Sequence, residues 1–311
     1  MNTQRLLPSA CLVALLSVCT NAMGQARIDL GEKPKIVSAS PTERSATSTK
    51  YTEAEENRYI ALVSTAYKDM LTDSLTQAEL AFKEATDLLP SHPANAEAFF
   101  QLGQIAERKN NYQTAADYYR KSTRINENLA KAFDRRGAVS LILRDYDTAL
   151  KCYTKYLDLK PGDAQAIFYK GYIYQQEGKL DQALSQYQKV LDASPNHVSA
   201  NTAMAVIKAG RGQHSEAISI MDNLISRNPK SASLYQMRGS FEMESQRTKL
   251  ALYDFNKAIE LDPTNPTSYI NRAIVYGRSK QKAMSEADLQ RAQELGAPAY
   301  AIESARSAMR K

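Results

Sequence analysis

One period governs this sequence. Gly103, Gly137 and Gly171 stand 34 residues apart, and Gly239 falls on the same column. Ala115, Ala149, Ala183, Ala217 and Ala251 keep the same step. So do Tyr119, Tyr153, Tyr187, Met221 and Phe255, and so do Pro161, Pro195, Pro229 and Pro263. A fixed period of this length means that one supersecondary unit is stacked many times, because no single copy buries its own apolar face. Each column has a physical reason. Gly171 and Ala183 are small, so that two helices can touch where they cross. Tyr187 follows Ala183 by one turn and lies on the same helix face, where it fills space between its own unit and the next. Pro195 cannot continue a helix and turns the chain towards the next unit. "EGK" at 177–179 holds the turn between the two helices of that unit.

These columns, with a large residue four positions before the glycine, resemble the tetratricopeptide repeat family. The large residues are Phe99, Phe133, Ile167, Tyr235 and Tyr269. "QLG" at 101–103 is the cleanest Leu-Gly step, and Tyr174 and Tyr276 fit the family's tyrosine. The resemblance covers nearly all of residues 59–299. It implies an all-α fold: a right-handed α-solenoid of helix-turn-helix repeats, about seven of them. Their expected spans are 59–92, 96–129, 130–163, 164–197, 198–231, 232–265 and 266–299, within an array over 52–311. The register slips by three residues in the first repeat (Ala78, Phe82, Ala85, Pro90), and "PSHPANAE" absorbs the slip. Repeat five has Ala205 and Asn201 in place of the glycine and the large residue. Repeat seven has Ser285 and Leu289, with its proline at Pro298. Ile302, Ala305 and Met309 share one helical face, which predicts a capping helix over 300–311. Thr52 and Glu55 predict a capping box at the first helix.

The N-terminus reads differently. "LLPSACLVALLSVC" is apolar but too short and too interrupted for a membrane span of about 20 residues. Ala22 and Gly24 have the small-residue spacing of a signal-peptide cleavage site, with Ala26 as an alternative. Residues 1–24 are therefore expected to be a secretory signal peptide, with no transmembrane span in the mature chain. Val18 before Cys19 speaks against a lipid anchor. Residues 25–51 are rich in Ser, Thr and charge and are expected to form a flexible linker. The mature chain keeps only Cys152, so no internal disulfide supports the fold.

The catalytic and metal signals are weak. His92, His197 and His214 fall in or near turns, and no two stand at i, i+4 for zinc. Cys152 has no histidine near it in sequence, and there is no glycine-rich phosphate loop. The expectation is a non-enzyme with no cofactor and no metal. The net charge of +6 comes from 40 basic and 34 acidic residues with no like-charged block, so nucleic acid is not the expected partner.

In the family, ligand contacts come from the first helix of each repeat, one step after the large residue and one step after the glycine. Carried over, these positions are Phe100 and Gln104, Asp134 and Ala138, Phe168 and Tyr172, Thr202 and Val206, Gln236 and Ser240, and Ile270 and Ile274. Phe100, Phe168 and Tyr172 have no duty in the repeat columns and are expected to face a partner or pack on the neighbouring repeat. Gln175 and Gln176 are expected on the same face. Lys131 and Arg135 in "KAFDR" match one part of the family's carboxylate clamp. Val63, Tyr67 and Gln101 occupy its other positions, so the clamp is incomplete. The implied function is an exported, periplasmic or envelope-associated adaptor that holds a protein or peptide segment in its groove. A regulatory subunit of an envelope enzyme and, more remotely, a nucleic-acid binder are the alternatives.

Overall fold

The structure is a computed structural model and describes residues 51–310. The expected signal peptide and all of the expected linker but Tyr51 lie outside the described residues. Fifteen helices follow one another, with no strand among the described residues. They are α1 Glu53–Leu71, α2 Leu75–Leu88, α3 Asn95–Arg108, α4 Tyr112–Ile125, α5 Ala130–Ile142, α6 Tyr146–Leu159, α7 Ala164–Gln176, α8 Leu180–Ala193, α9 Val198–Gly210, α10 His214–Arg227, α11 Ala232–Glu244, α12 Thr248–Leu261, α13 Pro266–Arg278, α14 Lys282–Glu294 and α15 Ala299–Met309. They form an all-α repeat solenoid that divides into two compact units, 51–179 and 180–310. The division falls inside the fourth repeat, in its "EGK" turn.

Local chemistry sets the boundaries. Thr52 and Glu55 form the expected capping box: the Thr52 side chain accepts from the Glu55 amide, and the Glu55 carboxylate accepts from the Thr52 amide. Asp145 and Asp163 cap α6 and α7 with their side chains. At the end of each first helix the chain turns through a left-handed residue. These are Asp73, Asn110, Arg144, Gly178, Gly212, Gln246 and Lys280. At Arg144 the amide donates to Leu141 and the following Asp145 amide to Ser140, the paired bonds of a Schellman turn. From Asn110 on, these residues are one period apart, yet only two of them are glycine.

In the unit 51–179 each helix packs on the next along the chain, and the core is continuous between repeats. Phe100, Ala106, Ala115, Tyr119, Ala132 and Val139 form one cluster drawn from α3, α4 and α5. The repeat alanines and the aromatic column are fully buried. The glycines act on the aromatic column. A Cβ at Gly103 would lie 2.5 Å from the Tyr119 ring, and one at Gly137 would lie 3.0 Å from Tyr153. So the glycine makes room for the ring on the second helix rather than for that helix's backbone. In the unit 180–310, Gly239 does the same for Phe255 at 2.9 Å.

That unit also holds a device the columns did not announce. Arg238 on α11 forms a two-pronged ion pair with fully buried Asp254 on α12, at 2.7 and 2.8 Å. One period on, Arg272 on α13 repeats it with Asp288 on α14, at 2.7 and 2.8 Å. The planar guanidinium matches both carboxylate oxygens and ties the two helices of one repeat.

The C-terminal helix α15 buries Ile302 and Ala305, as its apolar face predicts. Its seat is different from that of a further repeat. Each earlier first helix in this unit leans on the second helix before it, whereas α15 leans mainly on the first helix α13. Gly277 permits this approach, since a Cβ there would lie 2.5 Å from Met309 Cγ. Arg278 Nε donates to the Ala308 carbonyl at 3.2 Å.

Candidate partner-binding face

The candidate face is the side of the first helices that the repeat register assigns to ligands. In the unit 51–179 it lies on α1, α3, α5 and α7. Much of it is already engaged. Glu97 on α3 accepts at one oxygen from Lys131 on α5 (2.8 Å), from Gln101 (2.9 Å) and from Tyr67 on α1 (3.4 Å). The Lys131 ammonium also sits 4.6 Å from the centre of the Phe100 ring. Further along, both oxygens of Glu107 on α3 receive the Arg135 guanidinium of α5, and the Tyr119 hydroxyl donates to the same carboxylate. Burial alone would push the Arg135 proton off, but the Glu107 bonds and charge win and hold its pKa above the usual value. Lys131 and Arg135, expected to be available for an acidic group, therefore serve as ties between successive repeats.

For the aromatics, burial agrees with the second of the two alternatives: Phe100, Phe168 and Tyr172 are buried rather than on an outward surface. Phe168 lies beside Tyr169 at 6.0 Å between ring centres, and Tyr169 beside Tyr153 at 5.1 Å. Gln175 is buried and Gln176 exposed; Gln104 is half-buried.

Asp134 stands apart. It sits on α5, half-buried, on the register face. Its carboxylate forms no hydrogen bond or ion pair with any described residue, although it follows Lys131 by three positions and precedes Arg135. Burial lifts its pKa to about 6. The nearby Arg135 charge opposes the shift, and the carboxylates of Asp163 and Glu107 add to it. The hydroxyl of Tyr153 is buried and has no hydrogen-bond partner. Burial raises the pKa of that hydroxyl well above its usual value, with the Asp134 charge the next contribution. In the preceding repeat the matching tyrosine, Tyr119, donates to Glu107. Here the residue one period after Glu107 is Leu141, whose side chain cannot accept, so Tyr153 keeps its proton unshared.

In the unit 180–310 the register face is nearly free of charge. Thr202, Val206 and Ser240 are buried, and Ser240 Oγ donates to the Gln236 carbonyl at 3.0 Å. Half-buried Gln236 accepts weakly from Ser268 Oγ at 3.5 Å. Ile270 and Ile274 pack in one cluster with Ile302 and Ala305 of α15. The last step of this face is thus covered by the chain's own C-terminal helix.

The histidines have local duties, and all three are half-buried rather than exposed. His197 caps α9 by accepting from the Ala200 amide, and His92 packs 4.6 Å from the Tyr59 ring. His214 Nδ1 lies 3.8 Å from Glu244. Among the described residues no three His, Cys, Asp or Glu side chains converge as metal ligands. Cys152 is buried, and burial pushes its thiol up to about 11, far from the thiolate that nucleophilic chemistry needs. No helix among the described residues is long and apolar enough to cross a membrane.

Comparison with known proteins agrees with this geometry. Five family profiles described as Tetratricopeptide repeat match residues 96–129, 142–198, 174–239, 232–265 and 255–293. No curated protein matches the chain. Among solved structures, a tetratricopeptide repeat protein from Parabacteroides merdae matches at TM-score 0.65 and 22% identity, over 82% of this chain and 100% of that one. PilW, described as a widely conserved type IV pilus biogenesis factor, matches at TM-score 0.58 and 15% identity, over 67% of this chain and 97% of its own. The C-terminal part of a repeat protein from Cytophaga hutchinsonii matches at 0.53 and 20%, over 64% and 80%. At these identities the likeness is one of fold.

The fold and the repeat face define a helical-repeat scaffold for protein interaction. This chain belongs to the tetratricopeptide repeat family, whose repeats are typically non-catalytic.

Proposed function

We propose that this protein is an exported adaptor that holds a segment of another protein against the first-helix face of its repeats. One observation carries the reading. On the face of the unit 51–179, the charges of Glu97, Lys131, Glu107 and Arg135 are neutralised within the chain, which leaves the half-buried carboxylate of Asp134 unmatched. A face that stitches its other charges together and leaves one half-buried carboxylate without a partner in the chain suits contact with another protein. The envelope setting rests on the leader-like residues 1–24.

A photo-crosslinking amino acid at Gln104 tests the face, with the same group at exposed Asp158 on α6 as control. Capture of a protein from 104 and not from 158 is the expected result. Equal capture from both positions, or none, would sink the assignment. Cell fractionation with sequencing of the mature N-terminus tests export. A cytosolic chain that still begins at Met1 would overturn that part.

A further inference from the structure

We infer that helix α15 is a built-in occupant of the partner-binding face in the unit 180–310, and that the segment which displaces it is itself an amphipathic helix. The inference rests on the partner-binding reading above and names the kind of segment bound and what controls its access.

The argument starts from where α15 sits. An end cap on a stack of repeats is expected on the last second helix, in the place of one more first helix. α15 lies instead mainly on the first helix α13. Its buried residues Ile302 and Ala305 share one cluster with Ile270 and Ile274, the positions that the repeat register gives to ligands, and Met309 packs against the same cluster.

Gly277 shows that this seat is built in. The same position holds Glu107, Leu141, Gln175, Ala209 and Met243 in the five preceding first helices. The side chain is missing only where α15 lands, and a Cβ there would lie 2.5 Å from Met309 Cγ. Glycine is a poor helix former. The two-helix repeat does not ask for it at this position, whereas the approach of α15 does.

The polar ties of α15 are few. Arg278 Nε donates to the Ala308 carbonyl at 3.2 Å, and Arg306 pairs with Glu286 of α14 at 3.0 Å in an exposed position. No side chain caps the start of the helix, and at 11 residues it is too short to be stable by itself. Proximity makes up for this. Residues 295–298 alone join it to α14, and so short a connection gives it an effective concentration on the order of 1 mM at its seat. A helix held by a tether and few bonds yields to a competitor that offers the same face. That face is plain: Ile302, Ala305 and Met309 stand at i, i+3 and i+7, while Glu303, Arg306 and Arg310 turn to water. The competitor is therefore a helix with an apolar, a small and an apolar residue at those intervals.

The test uses the full chain and two sets of short labelled peptides. One set places an apolar, a small and an apolar residue at i, i+3 and i+7 in foreign helix-forming sequences. The other holds the same residues in extended, proline-containing sequences. Wild type is compared with Ile302→Ser, which weakens the seat from the α15 side, and with Ile302→Ser combined with Ile270→Glu, which also spoils the stripe beneath. The helical peptides should bind Ile302→Ser about tenfold more tightly than wild type, because the closed state lowers the apparent affinity of wild type. Extended peptides should gain nothing, and the combined variant should lose the gain. In wild type, the helical peptides should speed hydrogen exchange in α15 and slow it in α13. No gain in Ile302→Ser, or an equal gain for extended peptides, overturns the inference; crosslinking from Gln104 judges the partner face separately. Should Ile302→Ser unfold the last repeat, seen as lost protection in α13 and α14, Met309→Ser at a half-buried position takes its place. The same order of affinities is then expected, and an affinity equal to that of wild type overturns the inference.

Discussion

Arg144→Gly should stabilise the protein. Arg144 sits at φ 58° in the turn between α5 and α6, in the left-handed region. An L-residue with a Cβ is disfavoured there by roughly 1–2 kcal/mol. Its side chain forms no hydrogen bond or ion pair with a described residue, so removing it forfeits no contact. Glycine relieves the clash but gives the unfolded chain more freedom, which takes back about 0.4–1 kcal/mol. The net gain is roughly 0.5–1 kcal/mol. The repeats supply their own controls. Gly178 and Gly212 occupy the same turn position at φ 74° and 80°, with open space around a built Cβ. Gly212→Ala should therefore lose roughly 0.5–1 kcal/mol, the same balance with its sign reversed. The Schellman bonds through the amides of 144 and 145 remain in every variant. The assay is urea unfolding followed by circular dichroism, with hydrogen exchange at residues 140–148 to report the turn itself. If Arg144→Gly is no more stable than wild type while Gly212→Ala loses nothing, the left-handed turn is not the strained element argued here.

Three other changes follow from the same geometry. Gly103→Ala places a Cβ 2.5 Å from the fully buried Tyr119 ring and should cost about 1–3 kcal/mol in urea unfolding; an unchanged midpoint would mean the ring has room to move. Glu242 is buried with one oxygen unpartnered, and burial, then the Asp254 charge, lift its pKa to about 7 from 4.5, with Arg238 opposing. The folded value is raised, so this group's stabilising contribution is full below about pH 4.5 and is lost as the pH rises through 7. Glu242→Gln should remove that loss and out-stabilise wild type at pH 8 by on the order of 2 kcal/mol but not at pH 5, read by hydrogen exchange in α11 and α12. Cys152 should resist iodoacetamide at pH 8 in the native chain and react once urea is added, seen by peptide mass spectrometry; rapid native labelling would contradict a buried, protonated thiol.

Much of the scaffold was legible because it obeys one spacing. The alanine and aromatic columns fall in the core as the period requires. The period held further information. Glu97 and Lys131 are one repeat apart, as are Arg238 and Arg272, and Asp254 and Asp288. Those coincidences marked the ion pairs that tie repeats and helices together. The candidate face was less legible. Lys131 and Arg135 share a helix face in sequence, but only the fold brings Glu97 and Glu107 across from α3 to neutralise them. Phe168 and Tyr172 occupy ligand-register positions, yet both are buried in the fold. Asp134 was one polar residue among many until its lack of a hydrogen-bond or ion-pair partner among the described residues could be seen.

The sequence alone determined the helix-turn-helix period, the small residues at close contacts, the capping box at Thr52 and the apolar stripe of α15. These are local or periodic demands, set by backbone sterics and by which face of a helix a residue occupies. Tertiary structure decided the rest. It set which charges cancel, which rings are buried, that α15 settles on α13 through Gly277, and that the buried Tyr153 hydroxyl is left without a partner. Those outcomes depend on distances between side chains far apart in sequence, and electrostatic and packing energies are functions of those distances.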